Sequence, residues 1–236
     1  MTTAVIILSV FAIIGWTLLL RVLYFYGCRP NRQGAGMKEH PPRPMTEQEK
    51  KLAAVHEAGH AIVACYSDRI PVSASIERTQ LGLAATLFAS PEQKNRTRES
   101  TREDIAILLA GRLAEELVLK ETTSSCVHDL RNARFLARES IMTLGMGKRT
   151  GLVTYEDTPE QLMLLSERTR IDLEDDIRDA IEAGEGFARR IITDHLKEVE
   201  SLANSLYDKG TLDGPAICKA LGHDNAYFDK SPPVTR

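Results

Sequence analysis

Followed as a pattern of apolar and polar positions, the chain opens with one long apolar run and continues in segments of helical period. Ala4 to Leu20 is uncharged and mostly apolar, near the lower length for a helix that crosses a bilayer. Arg21 interrupts the run, but Val22 to Tyr26 continue it; the arginine can snorkel and Tyr24 and Tyr26 suit the headgroup belt. Residues 4–26 are therefore expected to form a transmembrane anchor within residues 1–27. A cleaved signal peptide fits less well. Met1-Thr2-Thr3 has no basic side chain, and Gly27-Cys28-Arg29-Pro30 is a poor cleavage site. Residues 28–45, rich in Pro, Gly and basic side chains, read as a juxtamembrane linker. Arg21, Arg29, Arg32, Lys38 and Arg43 all follow the run, so the positive-inside rule predicts a single-pass protein with its C-terminal part in the cytoplasm.

After the linker the periods become those of a folded domain, expected over residues 46–225. Thr46 and Glu49 have capping-box spacing, which predicts a helix from there to about Tyr66 with Leu52, Val55, Ile62 and Val63 on its apolar side. Ser73–Glu77 and Ala84–Ala89 read as two short strands around Gln80-Leu81-Gly82. A free strand edge there could pair with an extended peptide through backbone hydrogen bonds. Pro91–Glu103 reads as an exposed loop, and a second helix from Thr101 carries Ile105, Leu108, Leu109, Leu113 and Leu117. A third is expected from Val127 to Leu144, with Leu130, Ala133, Ala137 and Ile141 on its apolar side. Pro159–Leu206 is mostly of helical period, with Glu174, Asp175, Asp176 and Arg178 read as a solvated face. Asp213-Gly214-Pro215 starts a last short helix, and residues 226–236 read as a tail. The predicted fold class is mainly α, with a small β-hairpin or sheet and one N-terminal transmembrane helix.

Composition changes this picture little. At 236 residues and a formal net charge of −3, the chain has no global positive charge that would suggest nucleic acid. Cys28, Cys65, Cys126 and Cys218 are scattered, without a C-x-x-C pair, which suits a reducing compartment.

The candidate chemistry is concentrated at His56-Glu57-Ala58-Gly59-His60. Two histidines one helical turn apart leave the same face, so both rings can reach one Zn²⁺ at about 2.0–2.1 Å. Glu57, next to the first histidine, is placed to take a proton from the activated water and pass it to a leaving amine. Lys50, Lys51, Asp68 and Arg69 bracket the motif, so its helix does not lie within a membrane. Ala58 and Gly59 leave room for close packing or for substrate. A catalytic zinc needs a third protein ligand, and Glu115, Glu116, His128, Asp129 and His195 are the downstream candidates. His195 reads better as an ordinary core or surface histidine.

Three blocks together carry a resemblance. They are His56-Glu57-Ala58-Gly59-His60-Ala61-Ile62-Val63, then Ala110-Gly111-Arg112-Leu113-Ala114-Glu115-Glu116, then Asp129-Leu130 with Ala133, Ala137-Arg138 and Gly145-Met146-Gly147. In this order they resemble the zinc peptidase domain of the FtsH-type, membrane-anchored AAA proteases, over roughly Thr46 to Leu221. The resemblance implies Zn²⁺ held by His56, His60 and Asp129, Glu57 as catalytic base, and Glu115 as a carboxylate that orients a ligand. His128, beside Asp129 where the family usually has Asn, competes for the third position. It further implies polypeptide substrates, and either a ring of like subunits or association with AAA protease relatives. Ala110 departs from the family, standing for the first of two glycines. Nothing in the chain matches G-x-x-x-x-G-K-[ST]; Gly147-Lys148-Arg149 lacks the upstream glycine and the following hydroxyl. The expected function is therefore a membrane-anchored zinc metalloendopeptidase acting on unfolded or loosely structured proteins without an ATPase of its own. The alternative is a non-ATPase regulatory or binding subunit that joins full-length relatives.

Overall fold

The structure is a computed structural model, described here for residues 44–67, 69–77, 85–89 and 95–222. The expected anchor at residues 4–26, the linker up to residue 43, the turn Gln80-Leu81-Gly82 and the tail 226–236 lie outside the described residues. No helix among the described residues is long and apolar enough to cross a membrane.

Helix α1, Glu47–Cys65, begins where its cap predicts. Glu49 N donates to Thr46 Oγ1 at 3.2 Å, and Thr46 N donates to Glu49 Oε2 at 2.9 Å. Its apolar stripe was expected on one side, yet from Ala54 to Cys65 every residue is buried. The small residues explain how this is possible. A Cβ on Gly59 would stand 2.5 Å from the Ala110 carbonyl oxygen and 2.6 Å from Ala114 Cβ. The glycine thus serves close helix packing, and about 1 kcal/mol of helix propensity is given up for it.

The partner in that crossing is α2, Arg98–Ala114, capped by Thr97. It starts three residues before the predicted Thr101, because Thr97 and Ser100 form a reciprocal cap inside the stretch read as loop. At its end the helix widens into a π turn, Glu115–Leu119, and stops at Lys120 in the left-handed region (φ 58°). A 3₁₀ turn, Ser124–Cys126, leads into α3, Val127–Arg138, which also ends in a π turn, Glu139–Thr143. Ala133 and Ala137 face inward as predicted, but Leu130 is 40% exposed.

The long C-terminal helical stretch is divided. Helix α4 spans Pro159–Leu164, α5 Glu167–Asp194 and α6 Leu196–Lys209. Ser166 caps α5, accepting from Thr169 N at 3.1 Å, and His195 sits at the α5–α6 break. Asp176 corrects the reading of this face as solvated: it is 2% exposed and turned inward. Gly184 lets α5 approach α2, since a Cβ there would lie 2.6 Å from Ile105 Cγ2. Ile62, Ile105, Ile177, Ile192, Leu202 and Leu206 are fully buried between these helices. Each such side chain contributes about 1.5–3 kcal/mol by leaving water.

A three-stranded antiparallel sheet flanks the helices in the order β2-β1-β3, with β1 Ile70–Ser75, β2 Ala85–Ala89 and β3 Thr211–Asp213. β1 lies earlier than the predicted Ser73–Glu77. Ile70 pairs with Ala89 and Pro71 with Phe88, and the register shifts between Pro71 and Ser73. Pro71 lacks an N–H, and the irregularity absorbs it inside a central strand. β3 was not predicted; Leu212 opposite Ala74 is its single buried residue. Asp213 then caps the last helix, α7 Gly214–Ala220, accepting from Ala216 N at 2.9 Å.

Candidate metal centre

Four elements meet at the site. α1 supplies His56, Glu57 and His60, all under 9% exposed. α2 and its π turn supply Ile107, Gly111 and Glu115, the start of α3 supplies Asp129, and β2 supplies Thr86. His56 Nε2 and His60 Nε2 are 3.0 Å apart; Asp129 Oδ2 is 3.2 Å from the first and 3.7 Å from the second. Among the described residues, these three side chains form the one group placed to hold a metal ion. A tetrahedral ion with bonds of about 2.0–2.2 Å separates its ligand atoms by about 3.3–3.6 Å. The observed sides of 3.0, 3.2 and 3.7 Å bracket that range, so small shifts of the rings would bring them to it.

Proton placement supports the same reading. His60 Nδ1 stands 2.7 Å from the Ile107 carbonyl oxygen, which can only accept, so Nδ1 carries the hydrogen. His56 Nδ1 donates likewise to Glu115 Oε1 at 2.7 Å. In neutral imidazoles both Nε2 atoms are then acceptors, and they converge with a carboxylate oxygen on one point. Three converging acceptors call for a cation.

Charge agrees. Burial alone would lower the pKa of His56, but hydrogen bonds to Asp129 and Glu115 and the charge of Glu57 push it up to about 10. Burial would raise Asp129, yet hydrogen bonds to His56 and His60 hold its carboxyl well below the usual range. Three carboxylates, Glu57, Glu115 and Asp129, stand around two imidazoles, an environment that favours added positive charge.

Glu115 is fully buried and fully partnered. Besides His56, Ser125 Oγ donates to Oε1 at 2.8 Å, while Thr123 N and Oγ1 donate to Oε2 at 2.9 and 3.1 Å. Burial raises its pKa, and the bonds from His56 and Ser125 more than reverse the shift. Glu115 opens the π turn that follows α2, and its carboxylate reaches His56; π turns recur at working sites.

The other candidates are elsewhere. His128 is exposed and lines the cleft, outside the three-atom group. Glu116 pairs with Arg189 at 3.0 Å. His195 stacks on Tyr66, with ring centroids 4.0 Å apart, and donates to Glu198 Oε1 at 2.9 Å.

Two positions at the site have tasks that the sequence reading did not assign. Gly111 backs the imidazoles: a Cβ there would lie 2.6 Å from His56 Nε2 and His60 Nε2. The block containing Gly111 was part of the resemblance, but the reason for the glycine is a contact with a helix more than forty residues earlier in the chain. Thr86 donates its hydroxyl to Glu57 Oε2 at 2.7 Å, and a threonine in a strand gives no such hint. The site opens into a cleft of about 560 Å³, whose apolar lining includes Met45, Leu52, Ala53, Ile76, Phe88 and Leu108.

A buried histidine pair, an aspartate carboxylate facing both rings and an adjacent glutamate held by Thr86 make up a candidate metal-binding site in a helical fold. Residues 43–219 match peptidase family M41, and the chain belongs to that family. Its relatives include the ATP-dependent zinc metalloprotease FtsH of Methylococcus capsulatus, 35% identical over 76% of this chain and 30% of the relative. FtsH 2 of Methylacidiphilum infernorum is 32% identical over 78% of this chain and 31% of its own length. FtsH 1 of Thermomicrobium roseum is 28% identical over 84% and 32% respectively. The chain thus spans about a third of the length of these relatives.

Proposed function

We propose that this chain is a zinc metalloendopeptidase that cleaves extended, unfolded or loosely structured polypeptide. The observation that carries the reading is the convergence of His56 Nε2, His60 Nε2 and Asp129 Oδ2 beside a carboxylate outside that group, Glu57, whose Oε2 accepts from Thr86. His56, His60 and Asp129 would hold Zn²⁺, with Glu115 and the Ile107 carbonyl fixing the two imidazole tautomers. Bound there, zinc supplies a Lewis acid and a water of lowered pKa. Glu57 would hold the proton given up on hydrolysis and pass it to the leaving amine. Among the described residues β2 is an edge strand beside the cleft, and the side left unpaired among them suits backbone hydrogen bonds to an extended substrate of any sequence. A folded chain cannot present such a strand, which is why unfolded segments are the expected substrate.

In this reading residues 46–225 form the peptidase domain and residues 28–45 a linker. Residues 4–26 anchor it to a membrane, with the domain on the cytoplasmic side. A reporter fused after Arg236 that reads cytoplasmic in intact cells supports that orientation, and an extracellular signal rejects it. Peptide hydrolysis at this site has no step that consumes nucleotide. The full chain loaded with zinc is therefore expected to cleave an unfolded protein such as reduced, carboxymethylated lactalbumin without ATP. Glu57→Gln should keep the zinc and lose about 10²–10⁴-fold in kcat. Activity that survives Glu57→Gln would sink the assignment of the base. Activity that appears only with ATP and a full-length relative would favour a subunit that works inside a larger assembly.

A further inference from the structure

We infer that Thr86 is a positioning residue for the reaction: its hydroxyl sets the rotation of the Glu57 carboxylate, so that the edge strand beside the cleft also aims the proton acceptor. The inference rests on the reading of Glu57 as the base.

The geometry is a short relay of stiff parts. Thr86 lies on β2 opposite Ala74, in register with a strand whose partner residue is fully buried. Thr86 and Phe88 turn half-buried toward α1 and the cleft, whereas Ala85 and Leu87 are exposed. A threonine is stiff at χ1, so the β2 backbone decides where the hydroxyl points. That hydroxyl has one hydrogen. It goes to Glu57 Oε2 at 2.7 Å, with the Glu57 carbonyl oxygen farther off at 3.3 Å.

At the other end of the relay, the last torsion of a glutamate is broad and roughly two-fold, the least determined part of the side chain. Packing does not settle it, because both oxygens of a carboxylate fill similar space. A single hydrogen bond does. Among the described residues, Thr86 is the donor this carboxylate has. Glu57 is 4% exposed, so bulk water does not compete strongly for the same oxygen. With Oε2 held, Oε1 is left as the acceptor in a defined direction. A merely structural account would have Thr86 tie β2 to α1 and nothing more. The choice of a carboxylate oxygen over the nearby backbone carbonyl, at the shorter distance, argues for aim rather than tether.

The test uses the full zinc-loaded chain, four variants and three readouts. The variants are Thr86→Val, nearly the same shape without a hydroxyl; Thr86→Ser, which restores the hydroxyl; Glu57→Gln; and the double variant. The readouts are zinc content, anisotropy of a fluorescein-labelled unstructured twelve-residue peptide, and kcat and KM for its cleavage. Thr86→Val is expected to keep its zinc, to bind the peptide within about twofold of wild type, and to lose about 10- to 100-fold in kcat at little-changed KM. Thr86→Ser should recover most of that loss. Added to Glu57→Gln, the valine should cost nothing further, since the two groups act as one unit.

Full kcat in Thr86→Val while Glu57→Gln is inactive would overturn this inference alone. So would parallel loss of zinc or of peptide binding, or a serine variant as poor as the valine, each of which points to a tether. If Glu57→Gln cleaves as well as wild type, or wild type does not cleave, the assignment of the base falls and takes this inference with it.

Discussion

The two most deeply buried carboxylates among the described residues are used in opposite ways. Glu115, in the π turn after α2, is 0% exposed, and Asp176, in the middle of α5, is 2% exposed. Both are saturated with donors. Arg149 N and Thr150 N reach Asp176 Oδ2 at 3.0 and 2.9 Å, Thr150 Oγ1 reaches it at 2.8 Å, and the Arg149 guanidinium reaches Oδ1 at 3.1 Å. For both, burial raises the pKa and the hydrogen bonds more than undo it. Depth and charge therefore do not tell the two apart.

What separates them is where their hydrogen bonds lead. Those of Asp176 end in the scaffold: it pins the loop carrying Gly147 to Thr150 against α5. Gly147 is bare for that reason, since a Cβ would stand 2.4 Å from Asp176 Oδ2. Those of Glu115 pass through it to His56 Nδ1, and the other nitrogen of that ring faces His60 and Asp129. A buried charge marks a working site only when its partners lead to a group that still has an unused valence.

The sharpest way to break the comparison is at the wall both imidazoles share. Gly111→Ala should force the His56 and His60 rings apart from their present positions. Zinc affinity is expected to fall by at least about 100-fold, read by competition with a chelator. Undiminished affinity would show that the rings can yield, and that the close approach of α2 is incidental.

Glu115→Gln should act next. It keeps the shape and an acceptor for His56 but removes the charge, and is expected to cost about 10- to 100-fold in zinc affinity. Asp176→Asn should leave the zinc affinity of the folded chain unchanged and lower stability by about 1.5–3 kcal/mol, the worth of hydrogen bonds to a charged group. If the two variants gave the same pattern, the distinction drawn here would fail.

The smallest effect is on pH dependence. A carboxylate depressed on folding contributes stability that is present above its unfolded value, 3.8 for Asp176, and is lost as pH falls through the lower folded value. The urea midpoints of wild type and Asp176→Asn should therefore differ at pH 7 and draw together as pH falls below about 4. A gap that stays constant down to pH 3 would mean that the side chain's shape, not its charge, holds the loop.

Much of the site was legible because it is local. The i, i+4 histidines, the intervening glutamate and the Thr46–Glu49 cap all lie within one helix, where spacing alone decides which face a side chain takes. The mainly helical class followed from periodicity for the same reason. The strand bounds were less legible. β1 starts at Ile70 because Phe88 and Ala89 are there to pair with, and a proline that would end most strands is accommodated by a register shift.

By itself, then, the sequence determined the helices, the histidine pair with its glutamate, and the order of blocks shared with a peptidase family. The resemblance pointed to Asp129 for the third position; the tertiary structure brings Asp129, of the five candidates, together with both imidazoles, since that depends on how α3 packs against α2. It decided that Asp176 is buried rather than solvated, because α5 has a loop to pin on that side. It also decided the tasks of Gly59, Gly111 and Thr86. Each of these is defined by an atom from a distant segment at 2.5–2.7 Å, and no period or propensity along the chain encodes such a contact.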